Sequence, residues 1–135
     1  MNNGRFATAL HLLTLLRMNR GALLSSDYMA GSVNVNPAVV RKELSNLRDH
    51  GLVSSKEGRG GGYALGKPAT EIRLSEIYQL VNDSHVLGRS NDPNPACPVG
   101  KQINGHLQEL YRRADEALLN QLGQLTLEDF GRKFD

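Results

Sequence analysis

What most constrains this chain is the order of signals between Asn36 and Leu65. Asn36 has a side-chain oxygen that can accept from helix amides, and Pro37 has a φ suited to the first helical turn, so together they predict a helix start. Val40, Leu44 and Leu47 then recur on one face, and Gly51 follows at the expected end near His50. Directly after it, Leu52-Val53-Ser54-Ser55-Lys56 reads as a strand and Tyr63-Ala64-Leu65 as its partner. The turn between them, Gly58-Arg59-Gly60-Gly61-Gly62, holds four glycines and one arginine. A helix that runs straight into a hairpin must bury its apolar face against elements on either side of it in the chain.

Upstream, Phe6, Leu10, Leu13 and Leu16 predict an amphipathic first helix ending near Asn19-Arg20-Gly21. Ser26 is expected to cap a short second helix, Asp27 to about Ala30, stopped by Gly31, with Ser32-Val33-Asn34-Val35 as connector. Two helices joined by a glycine-containing turn, then strand, turn and strand, make the plan of a winged helix-turn-helix. The fold expected is mainly α with a small β-hairpin wing.

Downstream, Pro68 ends the hairpin, and Leu74, Ile77, Tyr78 and Val81 share a face of a fourth helix, with a cap expected just upstream. The stretch from Asn82 to Gly100 carries Gly88, Pro93, Pro95 and Pro98 and reads as a linker. Ile103, Leu107, Leu110, Ala114, Leu118 and Leu122 then mark the apolar stripe of one long helix, and Thr126 with Asp129 suggests a cap on a last short turn. The stripe has too few partners within a small winged domain, so those six residues form the expected two-fold dimer interface. The organisation expected is a DNA-binding unit at 1–81, a linker with Cys97 at 82–100, and a dimerisation helix with C-terminal tail at 101–135.

Charge adds direction to this plan. The net formal charge is only +2, yet residues 1–70 hold nine Lys/Arg against four Asp/Glu, while the rest holds seven against ten. A basic N-terminal half suits a nucleic-acid module joined to an assembly module, although uneven solvation of ordinary surfaces gives the same pattern. On the helix from Pro37, Arg41, Ser45 and Arg48 line one face with Lys42 beside them, able to reach base edges and phosphates in a major groove. Taken alone, such a face is more often merely solvated. Arg59, on a turn poor in side chains, can enter a minor groove with little obstruction.

No apolar run approaches the ~20 residues needed to span a bilayer, and a cytoplasmic protein is expected. The four histidines, His11, His50, His85 and His106, show no metal-ligand spacing, and one cysteine excludes an intramolecular disulfide and any all-cysteine metal site, so no metal or cofactor is expected. Cys97 lies ahead of the long helix, where unpaired amides and nearby Lys101 would favour a thiolate. It is a candidate redox residue; a small side chain filling a gap is the more ordinary role.

The runs Asn36-Pro37, Leu44-Ser45-Asn46-Leu47-Arg48-Asp49-His50-Gly51-Leu52-Val53-Ser54-Ser55 and Gly58-Arg59-Gly60-Gly61-Gly62-Tyr63-Ala64-Leu65 resemble the signature of the Rrf2 family of winged-helix regulators. The resemblance covers most of the chain. It implies a homodimer that regulates transcription, most often as a repressor, from a pseudo-palindromic double-stranded operator. It implies DNA contacts from Asn36, Pro37, Arg41, Lys42, Ser45 and Arg48 in the major groove, and from Arg59, Gly60 and Gly61 at the wing. Family members that hold an iron–sulfur cluster supply three clustered cysteines before the long helix; here only Cys97 stands, so the chain resembles cluster-free members. The effector stays open among a small molecule, a redox change and a partner protein. Two other classes are kept in view: a winged-helix protein-interaction module without DNA binding, and a thiol enzyme centred on Cys97.

Overall fold

The computed structural model describes residues 4–135; the first three residues of the expected 1–81 unit lie outside it. The elements are α1 (Arg5–Met18), α2 (Ser26–Val33), α3 (Pro37–Asp49), β1 (Val53–Lys56), β2 (Gly62–Leu65), α4 (Leu74–Val81), α5 (Pro98–Leu122) and α6 (Leu127–Gly131), with single 3₁₀ turns at Ala69–Glu71 and Arg132–Phe134. The strands pair antiparallel with Val53 opposite Leu65 and Lys56 opposite Gly62.

At the centre is α1, which packs against α2, α3, α4, α6 and β2. The expected amphipathic face is therefore corrected: Ala9, Leu12, Leu13 and Leu16 are buried, whereas Phe6 and Leu10 are only half-buried. A helix surrounded by neighbours needs apolar residues all round, and a one-sided stripe cannot represent it. Its last turn carries Arg17, whose side chain is 2% exposed.

The second helix differs from expectation at both ends. Ser25, not Ser26, is the cap, its hydroxyl accepting from the Tyr28 amide at 3.1 Å. Gly31 does not stop the helix, which continues to Val33 and ends where Asn34 adopts a left-handed φ of 63°. Asparagine tolerates that conformation because its short polar side chain bonds locally. By contrast α3 starts as its residues require: Asn36 Oδ1 accepts from the Ala38 amide at 2.7 Å, and Pro37 takes the first turn. Its chain reversal into β1 passes through Gly51 at φ 81°, a conformation costly for any side chain with a Cβ.

The wing is anchored by a contact far apart in sequence. Leu24, between α1 and α2, bridges Tyr63 on β2 with reciprocal amide bonds of 3.0 and 2.8 Å. Thus β2 is bonded on both edges.

Of the stripe on α4, Leu74, Ile77 and Val81 are buried and Tyr78 is half-buried, its ring meeting Phe6 edge-on at 6.0 Å. No side chain caps this helix, so the expected cap is absent at Arg73. The long helix begins at Pro98, three residues before the expected 101, because Pro98 occupies the first turn as Pro37 does in α3. None of its residues is buried.

Beyond α5 the chain returns to the core. Thr126 and Asp129 form a reciprocal capping box, both bonds 3.0 Å, which starts α6. Leu127 is fully buried with α1 residues in the same apolar cluster, and its amide bonds the Ile72 carbonyl at 2.7 Å. Leu74 N–H donates to Leu125 at 2.9 Å and Arg73 donates to the Gly123 carbonyl at 2.7 Å. Arg17 completes the closure with bonds to Glu128 at 2.9 and 3.1 Å, to the Gly131 carbonyl at 3.0 Å and to Asp135 at 2.6 and 3.0 Å.

Candidate nucleic-acid interface

The exposed side of α3 is set by what its other side buries. Val40, Leu44 and Leu47 go inward as their spacing predicts, and Glu43 joins them at 5% exposure. That carboxylate was not legible as a core residue. It is tolerated because Arg5 Nε donates to Oε1 at 3.0 Å and Asn46 Nδ2 to Oε2 at 3.1 Å, pairing the charge it would otherwise leave stranded.

With that face committed to the core, Arg41, Lys42 and Arg48 turn to solvent and Ser45 is half-buried between them. Arg48 is held in place: its Nη1 donates to Ser55 Oγ on β1 and its Nη2 to Ser45 Oγ, each at 3.3 Å. It therefore joins α3 to the wing. At the wing tip Arg59 and Gly60 are exposed and Gly61 is half-buried. Gly61 is required there, since a Cβ would sit 2.1 Å from the Lys56 carbonyl oxygen. Arg59 is flanked by Gly58 and Gly60, so no adjacent side chain crowds it. The arrangement thus brings Asn36, Pro37, Arg41, Lys42, Ser45 and Arg48 to one helix and sets Arg59, Gly60 and Gly61 beside it on the hairpin.

The Rrf2 family model, described as an iron-dependent transcriptional regulator, matches residues 2–133. The chain belongs to the Rrf2 family. It is 38% identical over 130 residues to YwnA of Bacillus subtilis, named as an HTH-type transcriptional regulator, with 96% of each chain covered. It is 31% identical over 126 residues to the HTH-type transcriptional regulator IscR of Klebsiella pneumoniae, covering 93% of this chain and 75% of that one. The solved structure of CymR, the global cysteine regulator of B. subtilis, superposes with a TM-score of 0.74 at 25% identity, covering 100% of this chain and 98% of that one. The protein is a winged-helix, DNA-binding transcription regulator and not an enzyme.

The iron in the Rrf2 description is tested against this chain's donors. Cys97 is the sole thiol of the sequence, and among the described residues no three His, Cys, Asp or Glu side chains come together as a metal site would need. The donor set does not fit an iron centre. Cys97 itself is exposed at the N-cap of α5. The amides of Gly100 and then Val99 hold its thiol pKa below the ordinary value without closing a capping hydrogen bond. These amides, rather than Lys101, account for the direction.

The six stripe residues of α5 divide. Ile103 and Leu110 are exposed, while Leu107, Ala114, Leu118 and Leu122 are half-buried, and Leu122 packs on the chain's own core. No helix of the described residues is long and apolar enough to cross a membrane.

Proposed function

We propose that the protein is a cytoplasmic repressor that binds a pseudo-palindromic operator as a homodimer, with α3 in the major groove and the wing in the minor groove. The observation that carries this reading is the row of cations Arg41, Lys42 and Arg48 on the solvent side of α3, continued by Arg59 on the adjoining wing tip. Asn36 and Pro37 set the helix entry, Ser45 adds a hydroxyl to the reading face, and Gly60 and Gly61 let the tip approach the duplex closely.

The homodimer reading rests on α5. A helix of 25 residues with no buried side chain needs a partner for its apolar stripe. At 1.5 Å per residue such a helix is about 37 Å long, which suits two winged units reaching successive major grooves about 34 Å apart. Residues 1–81, closed by α6 and the C-terminal tail, then serve as reader, residues 82–97 as linker and α5 as assembly element, the linker carrying Cys97 as the candidate redox input.

Operator fragments recovered by genomic pull-down supply the test. Arg41→Ala or Arg48→Ala should cost about 1–3 kcal/mol where the arginine reads a guanine, and less where it meets only phosphate. Arg59→Ala should weaken sites with A/T-rich flanks most. A triple alanine variant that binds as tightly as wild type at equal salt would refute the assigned face.

A further inference from the structure

The N-terminal turn of α3 has its amides paired within the turn. Pro37 has no N–H; Ala38 N–H donates to Asn36 Oδ1 at 2.7 Å, and Val39 and Val40 N–H both donate to the Asn36 carbonyl at 3.0 and 3.2 Å. Only first-turn donors left without a cap are open to a phosphate. What this turn offers instead is apolar surface: Ala38 is exposed, and Val39 is a β-branched side chain 53% exposed. There is no acidic residue in the turn to repel the duplex.

Helical geometry separates two edges. Arg41 and Arg48 lie on the edge facing the wing, since Arg48 bonds Ser55 of β1, whereas Val39, two residues before Arg41, lies about 200° around the axis from it. Recognition helices present their N-terminal residues to base edges. In the major groove the one apolar group on a base edge is the C5-methyl of thymine, which alanine and other small apolar side chains contact.

We infer that Val39, on the edge of α3 distal to the wing, reads a methyl group and selects thymine at one position of each operator half-site. The inference rests on the proposed placement of α3 in the major groove. Covering one methyl is expected to strengthen binding about fourfold. The edge distal to the wing thus adds sequence choice where the arginines add affinity and guanine reading.

The test removes the methyl from either side. Each thymine of the footprinted operator is replaced singly by deoxyuridine, which lacks only that methyl, and affinities are measured for wild type and Val39→Ala. Wild type should lose about fourfold at one symmetric pair of positions, and Val39→Ala should bind the thymine operator more weakly and be indifferent to the replacement at that pair. Because Val39 is exposed, an unchanged melting temperature confirms that the variant is folded. The inference is overturned if no thymine replacement changes wild-type affinity by more than twofold, or if Val39→Ala keeps the full wild-type sensitivity. Failure of the underlying placement reads differently: the triple Arg41, Arg48 and Arg59 alanine variant would then retain full operator affinity.

Discussion

Replacing Leu110 by glutamate tests the assembly on which the half-site geometry depends. Leu110 keeps 52% of its surface exposed in the single chain. Full burial of a leucine side chain contributes about 1.5–3 kcal/mol, so covering the remaining half contributes about 0.8–1.5 kcal/mol in each protomer. A two-fold interface uses the same residue twice, which brings the contribution to about 1.5–3 kcal/mol per dimer. Leu110→Glu loses this and places two like charges in apolar surroundings, so the dimer dissociation constant should rise at least about 100-fold. Sedimentation velocity over a concentration series measures the dimer directly, and operator affinity should fall with it, since one protomer then holds one half-site. Thermal melting of the protomer should barely change, because the position is solvent-exposed before assembly. A variant that sediments as wild type at every concentration, and binds the operator equally well, would refute the role of the stripe.

Two further outcomes are expected. Glu128 and Asp135 both lie below the usual carboxylate range, chiefly through their bonds to Arg17, so the folded protein binds fewer protons than the unfolded chain there. That stability is present in full above the unfolded carboxylate range, about pH 5, and is lost as pH falls below about 4 through the lowered folded-state values, so melting temperature should drop on acidification and Arg17→Met should flatten the slope; equal slopes would refute the assignment. Exposed Cys97, with its pKa drawn down by the Gly100 and Val99 amides, should label readily in the native protein. If it carries the redox input, mild oxidation should change operator affinity about tenfold in wild type and leave Cys97→Ser unmoved, whereas identical oxidised and reduced affinities in wild type would assign the signal elsewhere.

The parts of the fold that local chemistry specifies were legible. Asn36-Pro37 declares a helix start, Gly51 a reversal, and the wing glycines a tight turn, because each depends on a few adjacent dihedral angles. Long-range contacts were not. Nothing near Leu24 announces its bridge to Tyr63, and Glu43 can be buried only because Arg5, 38 residues away, pairs with it. Gly31 misled as a helix stop because neighbouring packing holds α2 past it to Asn34. Pro98 carried the same signal as Pro37 but stood in a segment already rich in proline. On the reading face, the charged residues declared themselves by type; Val39 did not, since an apolar residue at helical spacing is ordinarily core, and only its exposure sets it apart.

The return of α6 to the core has a mechanical consequence for α5. Its C-terminal end is fixed to the winged unit through Gly123, Leu125 and Leu127, while its N-terminal end carries Cys97 and the linker some 37 Å away. The linker holds the helix at two places: Asp115 accepts from the Val86 amide at 2.9 Å and meets His85 Nδ1 at 2.6 Å, and nearer the N-terminal end Asn104 Nδ2 donates to the Asn91 carbonyl at 2.9 Å. A rod clamped at one end and touched at the other behaves as a lever. A displacement near Cys97 would then act on the tilt of the rod rather than on the inside of α3 and the wing, and in the proposed homodimer that tilt would set the distance between the two readers.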